Sequence, residues 1–226
     1  MAAYSYKKNK QLSKHFNNRE FASIVNGQLY TDRILVNKKL VTMLEKFFDY
    51  GIGTVIVLSG YRNTAADRAV GGDGYGAHTK GLAADIVAYK NGKPLSSKVV
   101  AALASLIGFS GIGITGPTGC HVDVRDGKNY KNAHWWGDET TGNNYIKSFL
   151  NYAGLTRATL YGTLGYYKKK LYSATAIRQT PIYYLPNKGT AIKSRLKKGK
   201  KQKVYAEKNG FLKISAGWVL KSDLKK

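Results

Sequence analysis

Cysteine is almost missing from this chain: Cys120 is the only one among 226 residues, so an intramolecular disulfide is impossible. Long apolar runs are missing as well. Nothing approaches the 18 consecutive apolar residues that a membrane-spanning helix requires, and no membrane insertion is expected. The first ten residues, Met1 to Lys10, carry charges but lead into no apolar stretch, which speaks against an ordinary secretory signal. Acidic residues are scarce, with 13 Asp and Glu against 37 Lys and Arg, for a net charge of +24. The Gly-rich stretch Gly71-Gly72-Asp73-Gly74-Tyr75-Gly76 lacks the Gly-Lys-Ser/Thr ending and the following helix of a phosphate-binding loop. A flexible rim delivering the next residues is the better account of it.

What the chain does contain is a spaced set of metal-binding side chains. Ser59-Gly60-Tyr61-Arg62 is followed by His78 and, seven residues on, by Asp85, and then by His121-Val122-Asp123-Val124-Arg125. His78, Asp85 and His121 are two imidazoles and a carboxylate, a set that suits Zn²⁺. Three protein ligands leave the fourth tetrahedral position open for water, as a hydrolytic site needs. Ala83 to Tyr89 reads as a buried strand carrying Asp85. Cys120 to Arg125 alternates with period two, which puts His121, Asp123 and Arg125 on one face and Cys120, Val122 and Val124 on the other. Cys120 is then a small core residue rather than a nucleophile.

These residues resemble the zinc D-Ala-D-Ala carboxypeptidase and L-alanyl-D-glutamate endopeptidase family, whose relatives include phage endolysins and the hedgehog signalling domain. The S-G-Y-R turn, the H-x6-D pair and the H-V-D-V-R strand carry the resemblance, over roughly His15 to Trp136. It implies that His78, Asp85 and His121 bind zinc and that Arg62 contacts substrate. Many relatives place a catalytic Glu or Asp three residues before the last His ligand, where this chain has Thr118. Asp123 is the nearest carboxylate on the same strand face and is the expected proton acceptor. His134, beside Trp135 and Trp136, is the second candidate. A role for Asp123 in orienting His121 or Arg125 stays open beside that of a base.

The remaining pattern frames the site. Asn37 caps a helix through about Tyr50, with Leu40, Met43, Leu44 and Phe47 on its core face and Gly51 ending it. Thr54 to Leu58 reads as a buried strand, Asn63 onward as a short helix, and Asn91-Gly92 as a tight turn. Ser96 caps a helix carrying Val99, Val100, Leu103 and Ile107, after which Gly111 to Ile114 pairs with the His121 strand across Gly116-Pro117. The expected class is α+β: a small mixed or antiparallel sheet with flanking helices over residues 1–155, followed by a small all-β barrel.

Charge separates the two parts. Residues 1–155 hold 19 Lys and Arg against 11 Asp and Glu, whereas residues 156–226 hold 18 against 2. Short Tyr- and Lys-rich runs punctuated by Asn187-Lys188-Gly189 and Asn209-Gly210 describe the barrel over 176–226, with 156–175 either a linker or its first strand. The Leu185-Pro186-Asn187 turn, Leu196-Lys197-Lys198-Gly199, Glu207 to Ile214 and Gly217-Trp218-Val219 resemble bacterial SH3-like cell-wall-binding domains. Trp218 is expected in the core, and Tyr183 and Tyr184 at a ligand groove.

Together the resemblances imply a phage-type endolysin. Such a zinc peptidase is made in the host cytoplasm and acts on the stem peptide of Gram-positive peptidoglycan, with anionic wall polymers as further partners of the basic segment. Three alternatives stay open: a muramoyl-L-alanine amidase on the same substrate, a non-catalytic zinc-containing wall-binding protein, and a basic nucleic-acid-binding protein. The last leaves the zinc constellation unexplained, and no nucleic-acid partner is expected.

Overall fold

The computed structural model describes residues 1–126, 135–190 and 192–226. Two compact units divide the chain, Met1–Ala153 and Gly154–Lys226.

The N-terminal unit is built on a six-stranded mixed sheet. Its main path runs Trp135–Asp138, Gly111–Ile114, Cys120–Asp123, Ala83–Lys90 and Thr54–Ser59, with the short Lys93–Pro94 strand also paired to Ala83–Lys90. Every pairing is antiparallel except that of Trp135–Asp138 with Gly111–Ile114. The tight turn expected at Asn91-Gly92 is present, both residues adopting positive φ, and it closes the Ala83–Lys90 hairpin.

Register gives this sheet two unlike faces. One row of partners is Ala84, Val122 and Ile112, and another is Ile86, Cys120 and Ile114. All six are at most 2% exposed. The Ser97–Ile107 helix packs on these strands and touches the helix Lys38–Asp49. The intervening rows are Asp85, His121 and Gly113, then Ala83, Asp123 and Gly111. Because side chains alternate along a strand, all the chemistry-bearing residues share the face opposite the apolar rows.

The helix boundaries follow local chemistry. Asn37 accepts a hydrogen bond from the Lys39 amide, and the buried stripe of Lys38–Asp49 is Leu40, Val41, Met43, Leu44 and Phe47, with Gly51 just beyond the end at positive φ. Asn63 caps the Thr64–Ala69 helix in the same way. Ser96 occupies the N-cap of Ser97–Ile107 without a side-chain cap bond, and burial there is broader than one stripe, with Val100 through Ala104 all buried.

Thr54–Ser59 departs from the expected buried strand. It lies at the sheet edge, and only Val55 is buried, while Ile56 and Leu58 are 43% and 60% exposed. A continuous apolar run resembles a central strand, but a strand with one neighbour is covered on one side only.

In the C-terminal unit two antiparallel sheets share one core. The first has the order Lys201–Val204, Tyr172–Ala176, Leu224–Lys225; the second runs Ile192–Leu196, Thr180–Tyr183, Gly217–Leu220, Phe211–Ile214, Ala206–Lys208. Ala174, Ile182, Val204, Ile214 and Val219 are among the residues closing the interior. Segment 156–175 supplies both the helix Arg157–Leu164, packed on Ala206–Lys208, and most of the Tyr172–Ala176 strand. The helix had no separate signal because its amphipathic pattern is weak. Trp218 is buried, its ring edge-on to Tyr167.

Tyr183, expected at a ligand groove, is instead buried, packed edge-on against Phe211, while Tyr184 is 56% exposed. Strand alternation sends the two neighbouring tyrosines to opposite sides, so only one of them can face solvent.

Residues 1–153 and 154–226, produced separately, are each expected to unfold cooperatively in thermal melts followed by circular dichroism. Within the first, Phe47→Ala is expected to lower stability by about 3–5 kcal/mol, since the ring is fully buried. A linear, featureless melt of either segment would contradict the two-unit architecture.

Candidate metal centre

Asp85 and His121 are direct cross-strand partners in the sheet, so their side chains emerge side by side. His78 arrives from outside the sheet, on the turn that leads into the Ala83–Lys90 strand. The turn is held by hydrogen bonds from the Gly81 amide to the His78 carbonyl (3.0 Å) and from the Asn37 amide to the Gly81 carbonyl (2.8 Å). Gly81 has φ +63°, and a Cβ there would stand 2.4 Å from the Leu35 carbonyl oxygen. Only glycine permits both the backbone conformation and the close approach.

Three donor atoms converge. His121 Nδ1 is 3.0 Å from Asp85 Oδ1, His78 Nε2 is 3.3 Å from the same oxygen, and the two nitrogens are 3.1 Å apart. Ligand atoms about 2.0–2.1 Å from one tetrahedral ion stand about 3.3 Å from each other, so the triangle is the right size for a small divalent metal. Among the described residues these three form the only His, Cys, Asp and Glu group so arranged.

Each imidazole is fixed by its other nitrogen. His78 Nδ1 lies 2.7 Å from the Gly60 carbonyl oxygen, an acceptor only, so Nδ1 carries the proton and Nε2 presents a lone pair. His121 Nε2 lies 3.1 Å from Asp123 Oδ2, which places its proton there and turns the Nδ1 lone pair toward Asp85 and His78. This is the pattern of metal-ligating histidines, whose second nitrogen is oriented by a carboxylate or a carbonyl. Two lone pairs facing each other beside a carboxylate require a cation between them, either a proton or a metal ion.

The titration behaviour agrees. Burial opposes the charged form of His121, but hydrogen bonds to Asp123 and Asp85 outweigh it and raise its pKa to about 9. Burial likewise works against ionised Asp85 and Asp123, yet their bonds to the histidines, and to Arg125 for Asp123, hold both well below the usual carboxylate range. Both carboxylates therefore stay ionised at neutral pH.

Asp123, the expected proton acceptor, occupies a different place. Its side chain is fully buried, and its carboxylate is taken by His121 and by the Arg125 guanidinium, with the Arg125 amide 3.0 Å from the second oxygen. Gly111 opposite makes room for it, since a Cβ there would stand 2.0 Å from Asp123 Oδ2. The carboxylate supports His121 from behind and does not line the cleft in front of the ligands. Sequence alternation put it on the correct face but could not show which way the ligand imidazole would use it. Thr118 sits in the turn before the strand and is likewise absent from the cleft lining. His134 lies outside the described residues.

In front of the ligands opens a cleft of about 630 Å³, lined among others by Arg62, Gly72, Asp73, Thr115, Arg125 and Glu139. Arg62 lies beside Asp67 (3.4 Å) and Asp85 Oδ2 (3.8 Å). Its Nε is the one buried side-chain nitrogen or oxygen without a hydrogen-bond partner among the described residues, a condition that a bound ligand or water relieves. The Gly-rich stretch does form part of the rim, tied down by Asp67, whose carboxylate accepts from the Gly74 amide at 3.0 Å. Glu139 is a cleft residue that the sequence did not single out. No spacing rule links it to the ligands, and it is brought there by the parallel pairing of Trp135–Asp138. Cys120 is fully buried on the apolar face, where burial pushes its thiol well above the usual range and keeps it protonated.

At pH 7 the metal-free site holds a proton on His121 that a metal must displace. Zinc titration of metal-free protein at pH 7 is expected to release close to one proton per chain, read by buffer-dependent calorimetry, and apparent affinity should rise with pH up to about 9. The raised pKa also means that charged His121 stabilises the metal-free fold fully below about 6.5, its unfolded value, and that this contribution disappears as pH rises through 9. Metal-free protein should lose stability over that window and zinc-loaded protein should not. Proton release near zero would contradict a charged His121 in the metal-free site.

Residues 13–123 match the family model described as Peptidase M15. The matched span includes Arg62, His78, Asp85, His121 and Asp123, and stops short of Glu139 and of the C-terminal unit. No curated protein and no solved structure matches the chain. Over the segment that builds the metal centre, the chain is similar to a family of peptidases.

Proposed function

We propose that the N-terminal unit is a zinc-dependent peptidase that hydrolyses the stem peptide of peptidoglycan, and that the chain acts as an endolysin. The observation that carries the peptidase reading is the triangle of His78 Nε2, His121 Nδ1 and Asp85 Oδ1, with both imidazoles locked so that their lone pairs converge. Similarity to the M15 peptidases, which are zinc-dependent, supports it.

Zinc, when bound, supplies a Lewis acid that polarises a carbonyl and makes water nucleophilic near pH 7. His78, Asp85 and His121 would hold it. Asp123 keeps His121 in the ligating tautomer and, through Arg125, is itself held in one orientation. Arg62 offers its guanidinium to a substrate carboxylate or to the oxyanion that would develop during attack.

For the C-terminal unit we propose a wall-binding role, with Gram-positive peptidoglycan and anionic wall polymers as partners. The 18 Lys and Arg against 2 acidic residues in 156–226 support attraction to polyanions. Tyr184, rather than buried Tyr183, is the aromatic offered to a ligand, with the Lys193 ammonium 5.8 Å from its ring centre.

Mass spectrometry of purified peptidoglycan digests is expected to show newly exposed amino and carboxyl termini within the stem peptide. His78→Ala, Asp85→Ala and His121→Ala should each abolish both zinc retention and cleavage. Asp123→Asn should leave the ligands in place but weaken zinc binding by roughly 10–100-fold, the usual consequence of losing a partner that orients a ligand. Full cleavage by metal-free protein would refute the zinc hydrolase.

A further inference from the structure

Arg62 stands between two carboxylates at the edge of the metal centre. Its Nη1 lies 3.4 Å from Asp67 Oδ1, and its Nη2 lies 3.8 Å from Asp85 Oδ2. The other oxygen of Asp85, Oδ1, belongs to the ligand triangle with His78 and His121. A guanidinium free to close on Asp85 would make the paired bonds that arginine forms with a carboxylate, and it would neutralise the charge that a metal ion needs there. At 3.8 Å it has not done so.

Asp67 is placed to prevent that closure. It belongs to the Thr64–Ala69 helix, whose start is fixed by the Asn63 cap, and it is 4% exposed. Its two oxygens have separate partners: Oδ2 accepts from the Gly74 amide at 3.0 Å, while Oδ1 faces Arg62. The Gly-rich rim holds this carboxylate from the other side. The Gly72 amide donates to the Asp67 carbonyl at 2.9 Å, and a Cβ on Gly72 would stand 2.2 Å from Asp67 Oδ2. Turning the carboxylate toward the ligands would break the Gly74 bond, so Asp67 cannot follow Arg62 into the metal centre.

We infer that Asp67 is a positioning residue of the metal centre: by holding one nitrogen of Arg62, it keeps the guanidinium off Asp85 and leaves that carboxylate to the metal. The role rests on the zinc reading of the same triangle. The Arg62–Asp67 pair is mostly buried. Such a pair stabilises a fold no better than apolar groups of similar volume, and its use here lies in the geometry it imposes on Arg62.

The test is a double-mutant cycle on the full chain, read as zinc affinity by chelator competition at pH 7. Asp67→Asn keeps one oxygen for the Gly74 amide but turns an amide NH2 toward Arg62, so the rim bond survives and the anchor is lost. Zinc affinity should fall by roughly 3- to 10-fold, the scale of coupling between groups that share a partner. In the Arg62→Gln background the same substitution should change affinity by less than about twofold. A loss that came from the charge of Asp67 itself, or from damage to the rim, would be the same in both backgrounds, and that result would overturn the role. Arg62→Gln alone gives a check that leaves Asp67 untouched. Its zinc affinity should stay within about threefold of wild type, because the anchored guanidinium already leaves Asp85 free, and a rise of about tenfold or more would also overturn the role. Failure of wild-type protein to retain zinc would instead count against the metal centre itself.

Discussion

His121 and Asp85 stand opposite each other on neighbouring antiparallel strands, and the rest of the site is organised around that pairing. One register places two ligand atoms 3.0 Å apart without help from any loop. It also brings Asp123 opposite Ala83 and Gly111, where small neighbours leave space for a buried carboxylate. A slip of one residue would send both ligands to the apolar face and Cys120 and Ile86 to the cleft. The fully buried row of Ile86, Cys120 and Ile114 therefore acts as the lock on the metal centre.

The third ligand needs a different kind of support. His78 belongs to no strand, and its position depends on a glycine that touches the Leu35 backbone and on a hydrogen bond from its ring to Gly60. Three segments distant in sequence thus meet at one point: the turn after the first sheet strand, the turn before the Asp85 strand, and the His121 strand. Burial opposes a charged His121, but its hydrogen bonds to Asp123 and Asp85 raise its pKa and favour a retained proton when no metal is bound. Protonation and metal binding compete for the same space, which links the metal affinity of the site to pH.

The electrostatic character of the molecule is uneven at two scales. The chain as a whole is strongly basic, and residues 156–226 carry most of the excess. Within the N-terminal unit, however, carboxylates gather at the cleft, where they ligate, brace the Gly-rich rim, or remain uncommitted as Glu139 does. A basic excess favours polyanionic partners, whereas carboxylates favour cations.

The sequence by itself determined the candidate ligand set, the α+β class and where the helices begin, because each rests on local chemistry. Asn37 and Asn63 cap the helices that follow them, and the alternation from Cys120 to Asp123 is a property of any strand. Tertiary structure alone decided the use of the neighbouring residues. Asp123 proved to brace His121 because its carboxylate points back into the sheet, toward Arg125. The Thr54–Ser59 run proved to be an edge because strand order is a long-range property that an apolar pattern does not encode. Of the two tyrosines expected at a groove, Tyr183 turned inward against the Phe211 ring and Tyr184 stayed exposed. Glu139 reached the cleft through a parallel pairing with residues more than twenty positions earlier, and no local pattern announces a contact of that range.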